Sequence, residues 1–595
     1  MAYYITTLLV YAGVDAIACL ALSQQFGVGG VTNFAFIIFQ AAGAYAAAVL
    51  SLPSDTANGA FQTYVGGYHL PFPLPWIGAA LVGGLLGLPF SVLVGRRLRG
   101  DFAAVGLLVT AVMANLLITN YRPFLNGDAG LALVPAPLDN HFNPLSSKYQ
   151  WGYSIAAVVL AAVTYLFVTR ITESPYGRTL RAMRENDVVA DALGKNVRQL
   201  RTSMLVLGGA IAGLSGGVLV GFINLWDPAA WGYAESIVLF AAVIIGGLGN
   251  HKGAILGAVL VPVGFLEASR YIPEIGRPGL VPALQWVAVG LVIVLFLWFR
   301  PQGIFPERRR AIAGTYAPLE TGAVPPSAAR PVPVVRPRSR PGGNEIVLEA
   351  RNLERHFEGL HAVDGVSVRF ERGRLSGLIG PNGAGKSTLL AMLAGTLEPS
   401  AGAVFYDGSD VTRTPAYRRA QRGLVRTFQL ASEFKRLTVI ENLLAAVPNQ
   451  RGDSLRGSLL GRRYWGDEER RCVLQAEAML ERFGLTAHAD TYAGELSGGQ
   501  RRLVEIMRAL MAEPQVLLLD EPMAGVHPEL AHKIGGLLLE LCSEGITIVM
   551  VEHELAIMDE FADPVVVMVE GKVLAEGTMA ELRTKEDVVE AYLVG

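Results

Sequence analysis

Nine consecutive residues, Gly380, Pro381, Asn382, Gly383, Ala384, Gly385, Lys386, Ser387 and Thr388, have the composition and spacing of a phosphate-binding loop. They follow an apolar run, Leu375–Ile379, that reads as a strand, and lead into Thr388–Leu393, which reads as a helix. In that setting the glycines let successive backbone N–H groups converge on phosphates. Lys386 offers a point charge to the outer phosphates and Ser387 a hydroxyl ligand for Mg²⁺. A chance glycine-rich turn would not supply strand, lysine and hydroxyl in this order. Downstream, Val516–Asp520 is an apolar run that ends in two acids, Asp520 and Glu521. Such a pair by itself means little, because buried strands often end in a solvated acid. Behind a phosphate loop it reads as a hydrolytic centre, Asp520 organising the Mg²⁺ shell and Glu521 polarising the attacking water.

Two different kinds of chain must position these groups. Of the 50 Lys+Arg and 52 Asp+Glu, residues 1–300 hold only 16 and 13, so the first half is membrane-like and the second is an ordinary soluble domain. A hydrocarbon core needs about 20 mainly apolar helical residues. Nine segments qualify, near 3–22, 26–50, 74–95, 102–120, 151–170, 203–224, 233–250, 253–271 and 281–299. The glycines at Gly246, Gly247 and Gly249 mark one place where a span could instead be a re-entrant pair of half-helices. Arg96, Arg97 and Arg99, and the cluster from Arg170 to Arg201, predict cytoplasmic loops by the positive-inside rule, with an external N-terminus. No basic leader or cleavage pattern precedes the first apolar run, which is read as a retained span. The expected fold is an all-α polytopic membrane domain of about nine spans over 1–306, a Pro-rich linker over 307–344 with seven prolines between 311 and 344, and an α/β P-loop domain over 345–595. The net charge of −2 offers no basic excess for nucleic acid. Cys19, Cys472 and Cys542 match neither a disulfide framework nor a metal spacing.

Leu496, Ser497, Gly498, Gly499 and Gln500 make the second half resemble the ATP-binding cassette of ABC transporters over essentially all of 346–595. That resemblance implies ATP and Mg²⁺ as cofactors. It implies that the signature, Ser497 to Gln500, contacts the γ-phosphate of ATP held by the opposite cassette, so that one cassette makes no complete site. It further implies that Phe357 stacks on adenine, with a core phenylalanine as the alternative. Gln429, after Arg426, Thr427 and Phe428, matches the glutamine whose loop links the nucleotide site to the membrane domain, implied in both catalysis and Mg²⁺ binding, and His553 matches the switch histidine. One departure is His527, where many cassettes carry an aspartate.

In the first half, Ser174, Pro175, Gly177, Arg178, Arg181, Arg184, Glu185 and Gly194 resemble the coupling segment of ABC importer permeases, and with Gly246–Gly249, Gly253 and Arg300–Gly303 those of the branched-chain amino acid family. The stretches Arg451–Arg471 and Val588–Leu593 resemble cassettes of that same family, whereas Phe26–Ala35 is similar to its sister permease. The resemblance implies a multi-pass protein of the bacterial inner membrane with a cytoplasmic ATPase, importing an amino acid. The implied partners are a second permease/ATPase half and an extracytoplasmic substrate-binding protein. Import of urea or short amides, a homodimeric exporter, and a cassette protein that gates rather than transports are the alternatives. Asp15 is a candidate for a functional ionisable group or for simple bonding to a neighbouring helix, and Asn33 and Tyr45 are candidates for facing a translocation path.

Overall fold

Lipid tails are as apolar as leucine, so membrane helices associate through close packing and hydrogen bonds rather than through the hydrophobic effect. The first half of the chain follows that constraint. The computed structural model describes residues 2–54, 62–95, 100–265, 280–307, 312, 345–357, 359–428 and 433–593. Its helices are α1 Ala2–Leu22, α2 Phe36–Ser51, α3 Leu74–Gly95, α4 Gly100–Asn120, α5 Ser147–Thr172, α6 Pro175–Glu185, α7 Val197–Ile223, α8 Tyr233–Gly246, α9 His251–Ala258 and α10 Leu280–Phe299. Glycines set the interfaces. A Cβ at Gly43 of α2 would lie 2.2 Å from Gly213 O, one at Gly213 of α7 2.3 Å from Ala79 O, and one at Gly83 of α3 2.3 Å from Gly209 O. Between α8 and α9 the same holds for Gly246 against Gly253 and Gly257 against Ala242.

Five stretches, Tyr3–Val28, Leu74–Val94, Phe102–Asn120, Ser147–Thr172 and Val197–Ile223, are long and apolar enough to cross a membrane. Four others, Phe36–Ser51, Tyr233–Gly246, His251–Phe265 and Ala283–Phe299, are apolar but shorter. The segment expected as a span over 26–50 is not one helix. α1 runs on as a π-helical turn, Ser23–Val28, and the chain then passes through Gly30 at φ +67° before α2 begins. Between α8 and α9 the helix also breaks, with Gly247 at φ +127° and Gly249 at φ +76°, and Asn250 caps α9 by accepting from the N–H groups of Lys252 and Gly253. Arg96, Arg97 and Arg99, and 308–344 apart from Ile312, lie outside the described residues.

A buried hydrogen-bonded chain ties the ends of these helices. Thr172 Oγ1 donates to Gln24 Oε1 (2.9 Å) and lies 2.8 Å from His251 Nε2, Asn33 Nδ2 donates to Gln25 Oε1 (3.2 Å), and Gln25 Nε2 donates to Met204 O (3.3 Å). Arg184, near the end of α6, pairs with Glu307 at 2.8 Å and donates to Gly27 O. Tyr45 takes a hydrogen bond from Trp231 Nε1 (3.4 Å), and Asp15 is half-buried along α1. Asn33 is thus bonded to the π-helical turn that follows α1, and Tyr45 to Trp231.

The chain divides into two compact units: Met1–Arg184, Arg198–Arg308 and Ser454–Gly461 form the first, and Glu185–Val197, Arg309–Asp453 and Arg462–Gly595 the second. The second holds two sheets. Strands β1 Ile346–Phe357, β2 Leu360–Glu371, β3 Leu375–Ile379, β4 Ala401–Tyr406, β5 Ser409–Asp410, β6 Leu424–Arg426, β7 Val516–Asp520, β8 Thr547–Val551, β9 Val565–Val569 and β10 Lys572–Gly577 follow in chain order. One sheet has the order β10-β9-β3-β8-β7-β6, parallel except for β10, and the other the antiparallel order β2-β1-β4-β5. Strands β3, β7 and β8 are buried at every position, as expected where a parallel sheet is covered on both faces.

Replacing Gly213 by leucine should force α2, α3 and α7 apart and cost about 1–3 kcal/mol. Gly152→Leu, where an added Cβ meets nothing within 4 Å, should leave thermal unfolding of the detergent-solubilised chain unchanged. Equal melting curves for the two variants would remove glycine packing as the determinant of this bundle.

Candidate active site

The register of the parallel sheet sets the level of every reacting group. Val551 of β8 pairs with Leu378 of β3 on one side and with Asp520 of β7 on the other. The phosphate loop, Glu521 and His553 therefore leave the same sheet edge side by side. The loop itself requires its glycines. Gly380, Gly383 and Gly385 have φ of +152°, +83° and +91°, and a Cβ would lie 2.0 Å from Met568 O at Gly380 and 2.2 Å from Ala362 O at Gly385. The loop then opens helix α11, Lys386–Ala394, whose first N–H groups and dipole favour phosphate. Lys386 is buried and donates to Gly380 O (2.8 Å) and Pro381 O (2.9 Å), and that burial lowers its ammonium pKa against the pull of Glu521 and Asp520.

Asp520 is 1% exposed and fully engaged. Its Oδ1 accepts from Ser387 Oγ at 3.1 Å and its Oδ2 from the Arg426 guanidinium at 2.9 Å. A hydroxyl beside a carboxylate is the hard oxygen pair that suits Mg²⁺, an ion bound by one or two protein ligands together with substrate phosphates. Glu521 has φ +50°, an uncommon conformation for a non-glycine residue, and its Oε1 lies 2.9 Å from His553 Nε2. That contact holds a base candidate beside the loop and gives it an orienting partner.

The signature caps its own helix. Ser497 Oγ accepts from Gln500 N–H (3.4 Å) while Gln500 Oε1 accepts from Ser497 N–H (3.0 Å), a reciprocal capping box that opens α12, Gly498–Met511. Ser497 and Gly498 are exposed, and nothing lies within 4 Å of a Cβ built on Gly498. A helix N-terminus displayed in this way favours negative charge in front of it. Phe357, at the end of β1, is 42% exposed with the Arg355 guanidinium 4.6 Å from its ring centroid, so the core alternative does not hold. His527 is exposed just before the helix Pro528–Ser543. Gln429 lies outside the described residues.

Four partners had no signal strong enough to single them out in the sequence. Arg426 neutralises Asp520. Arg502 and Glu505, on α12, clamp the residue before Gln429: Glu505 Oε1 accepts from Phe428 N–H (2.9 Å) and Arg502 donates to Phe428 O (3.0 Å) and to Glu505 Oε2 (2.7 Å). Their i,i+3 spacing within the signature helix was the available clue. Glu552 accepts from Met523 N–H (2.7 Å), pinning the segment after Glu521. Burial pushes its carboxyl up to about 7, opposed by the N–H groups of Met523 and His553 and reinforced by Glu521.

Because the folded chain holds the Glu552 proton to higher pH than a free glutamate does, stability contributed by the neutral acid is present below about 4.5 and lost as pH rises through about 7. Glu552→Gln keeps the acceptor and removes the charge, so it should raise the thermal midpoint at pH 8 and leave it unchanged at pH 4.5. A gain of the same size at both pH values contradicts the assignment. Arg426→Ala strands a buried carboxylate and should cost about 3–5 kcal/mol in thermal or denaturant unfolding.

Residues 4–297 match the family described as branched-chain amino acid transport system/permease component, and 363–524 match ABC transporter. The probable branched-chain amino acid transport ATP-binding protein LivG of Archaeoglobus fulgidus is 39% identical over 247 residues, 42% of this chain and 95% of the relative. The high-affinity branched-chain amino acid transport ATP-binding protein BraF of Pseudomonas aeruginosa is 37% identical over 248 residues, 42% and 97% of the two chains. A crystal structure of a nucleotide-free ATP-binding cassette from an ABC transporter is 39% identical, covering 42% of this chain and 99% of its own, with a TM-score of 0.37. With a permease half, a phosphate loop, an acid pair at the adjoining strand end and a signature helix in one polypeptide, this chain belongs to the branched-chain amino acid ABC transporter family, as a permease component joined to an ATP-hydrolysing cassette.

Proposed function

We propose that this chain is one half of an ATP-driven importer of branched-chain or related amino acids, embedded in the bacterial inner membrane with its cassette in the cytoplasm. The observation that carries the reading is the joining, in one chain, of a permease match over 4–297 to a cassette whose relatives are named for branched-chain amino acid transport. In this reading residues 1–306 form the permease with about nine spans, 307–344 a linker, and 345–595 the cassette.

ATP would lie on the loop Gly380–Thr388 with adenine against Phe357, and Ser387, Asp520 and Gln429 would hold Mg²⁺, which would supply charge neutralisation to the phosphates. Glu521 polarises water and His553 keeps its carboxylate aimed. Ser497, Gly498, Gly499 and Gln500 serve the γ-phosphate of a second cassette, brought by a sister subunit or a second copy. An extracytoplasmic binding protein delivers the amino acid.

The segment 175–197 is assigned to coupling. Its two glycines have physical roles: a Cβ at Gly177 would lie 2.1 Å from Thr172 O, and Gly194 has φ +86° with its carbonyl accepting from Gln421 Nε2 (2.8 Å). Within the second unit the short helix Asp187–Ala192 packs on Ala416–Gln421, the Asp191 carboxylate accepts from Tyr417 N–H, and Lys195 pairs with Asp453 and donates to Val447 O (2.8 Å).

In proteoliposomes holding the chain, its partner half and the binding protein, labelled leucine should accumulate only with ATP inside the cytoplasmic compartment, and Glu521→Gln should trap ATP and abolish uptake. Uptake without any binding protein, or continued transport by Glu521→Gln, overturns the importer reading. Lys195→Glu should uncouple ATP hydrolysis from uptake, and Lys195→Glu with Asp453→Lys should restore it; failure of the double variant to recover removes the pair from coupling.

A further inference from the structure

The six-residue helix Leu455–Leu460 has a face that its own packing does not use. Ser454 caps it by accepting from Gly457 N–H at 3.0 Å, and Gly457 and Ser458 are buried. Arg456 is exposed, and so are Leu459 (38%) and Leu460 (52%). Leu460 O accepts from the Arg170 guanidinium at 3.2 Å, and a Cβ at Gly461 would lie 2.1 Å from that same group. Arg170 stands at the end of α5, whose stretch Ser147–Thr172 is long and apolar enough to cross a membrane. The helix therefore abuts the point where a span gives way to its basic flank, which is the headgroup level.

The local sequence is that of an interfacial contact. Arg456 and the two leucines share the exposed part of this helix. Exposed leucines beside an arginine suit the boundary between acyl chains and phosphates, where apolar area and charge are both satisfied.

We propose that Leu455–Leu460 is a membrane-surface contact, with Leu459 and Leu460 entering the headgroup boundary of the cytoplasmic leaflet and Arg456 meeting the phosphate of an anionic phospholipid. Position selects lipid over a second protein surface, because Leu460 O meets the Arg170 guanidinium at the end of a stretch long and apolar enough to cross a membrane, and the exposed Arg456 suits an anionic plane. The proposal rests on the reading of Ser147–Thr172 as a span with Arg170 at its cytoplasmic end.

The test uses the full chain in vesicles of phosphatidylglycerol or of phosphatidylcholine. The three native cysteines are buried, so a fluorophore can be placed at Leu459→Cys, and separately at Leu166→Cys on the exposed face of α5. In phosphatidylglycerol, a nitroxide lipid with its spin label about 5–10 Å below the surface should quench the label at 459, while iodide should not. Adding Arg456→Ala should lower the docked-to-free ratio about fivefold, the loss of one charge near an anionic surface. Quenching by iodide alone, or by neither agent as expected under a protein partner, overturns the proposal. If the label at 166 also escapes acyl-chain nitroxides, the span reading has failed; if it is quenched while 459 is not, the surface contact alone has failed.

Discussion

The alignment of Leu378, Val551 and Asp520 across three parallel strands is the constraint on which the rest of the cassette depends. Each strand is buried throughout, so each can end only where the sheet meets solvent, and the three ends meet at one level. The phosphate loop, the acid pair and the histidine occupy these ends. A shift of one residue in any strand would turn its side chains to the other face and withdraw its group from the site. Asp520 adds a second constraint. As a buried carboxylate it needs compensation, and it receives it from Arg426 on one oxygen and Ser387 on the other. The site is thus held together by the same bonds that make its buried charge tolerable.

The signature helix joins this site to its surroundings in two directions. At its N-terminus Ser497 and Gln500 cap each other, leaving the helix end open to an external anion. Along its length Arg502 and Glu505 clamp the backbone of Phe428, the residue before Gln429. One rigid element therefore carries both the exposed cap and the clamp on Phe428. A helix with both tasks cannot shift at one end without bearing on the other.

In the first half the forces differ. Glycines at 43, 83, 209 and 213 let backbones approach, and Gln24, Thr172 and His251 supply buried polar bonds. The π-helical turn at Ser23–Val28 carries α1 past the expected span end at 22, and the break at Gly247–Gly249 falls where the glycines marked one. Hydropathy averages over a window and does not register a backbone at φ +67°. For that reason the segment near 26–50 resolves into a turn and a shorter helix.

Phosphate-loop chemistry permits few residue types at few spacings, so Gly380–Thr388, Asp520 and Glu521 were legible from the sequence, as was the strand or helix on which each sits. The signature, His553 and Phe357 were legible through family likeness, although whether Phe357 is a core or a surface ring was decided by its exposure. The sequence also separated an apolar half from a soluble one. Tertiary structure alone supplied the partners. Arg426 and Asp520 are 94 residues apart, and nothing in the neighbourhood of either names the other. Glu552 carries no mark of its environment until Met523 N–H is brought against it in a buried place. Local spacing records the chemistry a short loop must perform, whereas compensation of buried charge depends on which distant strand the fold sets alongside.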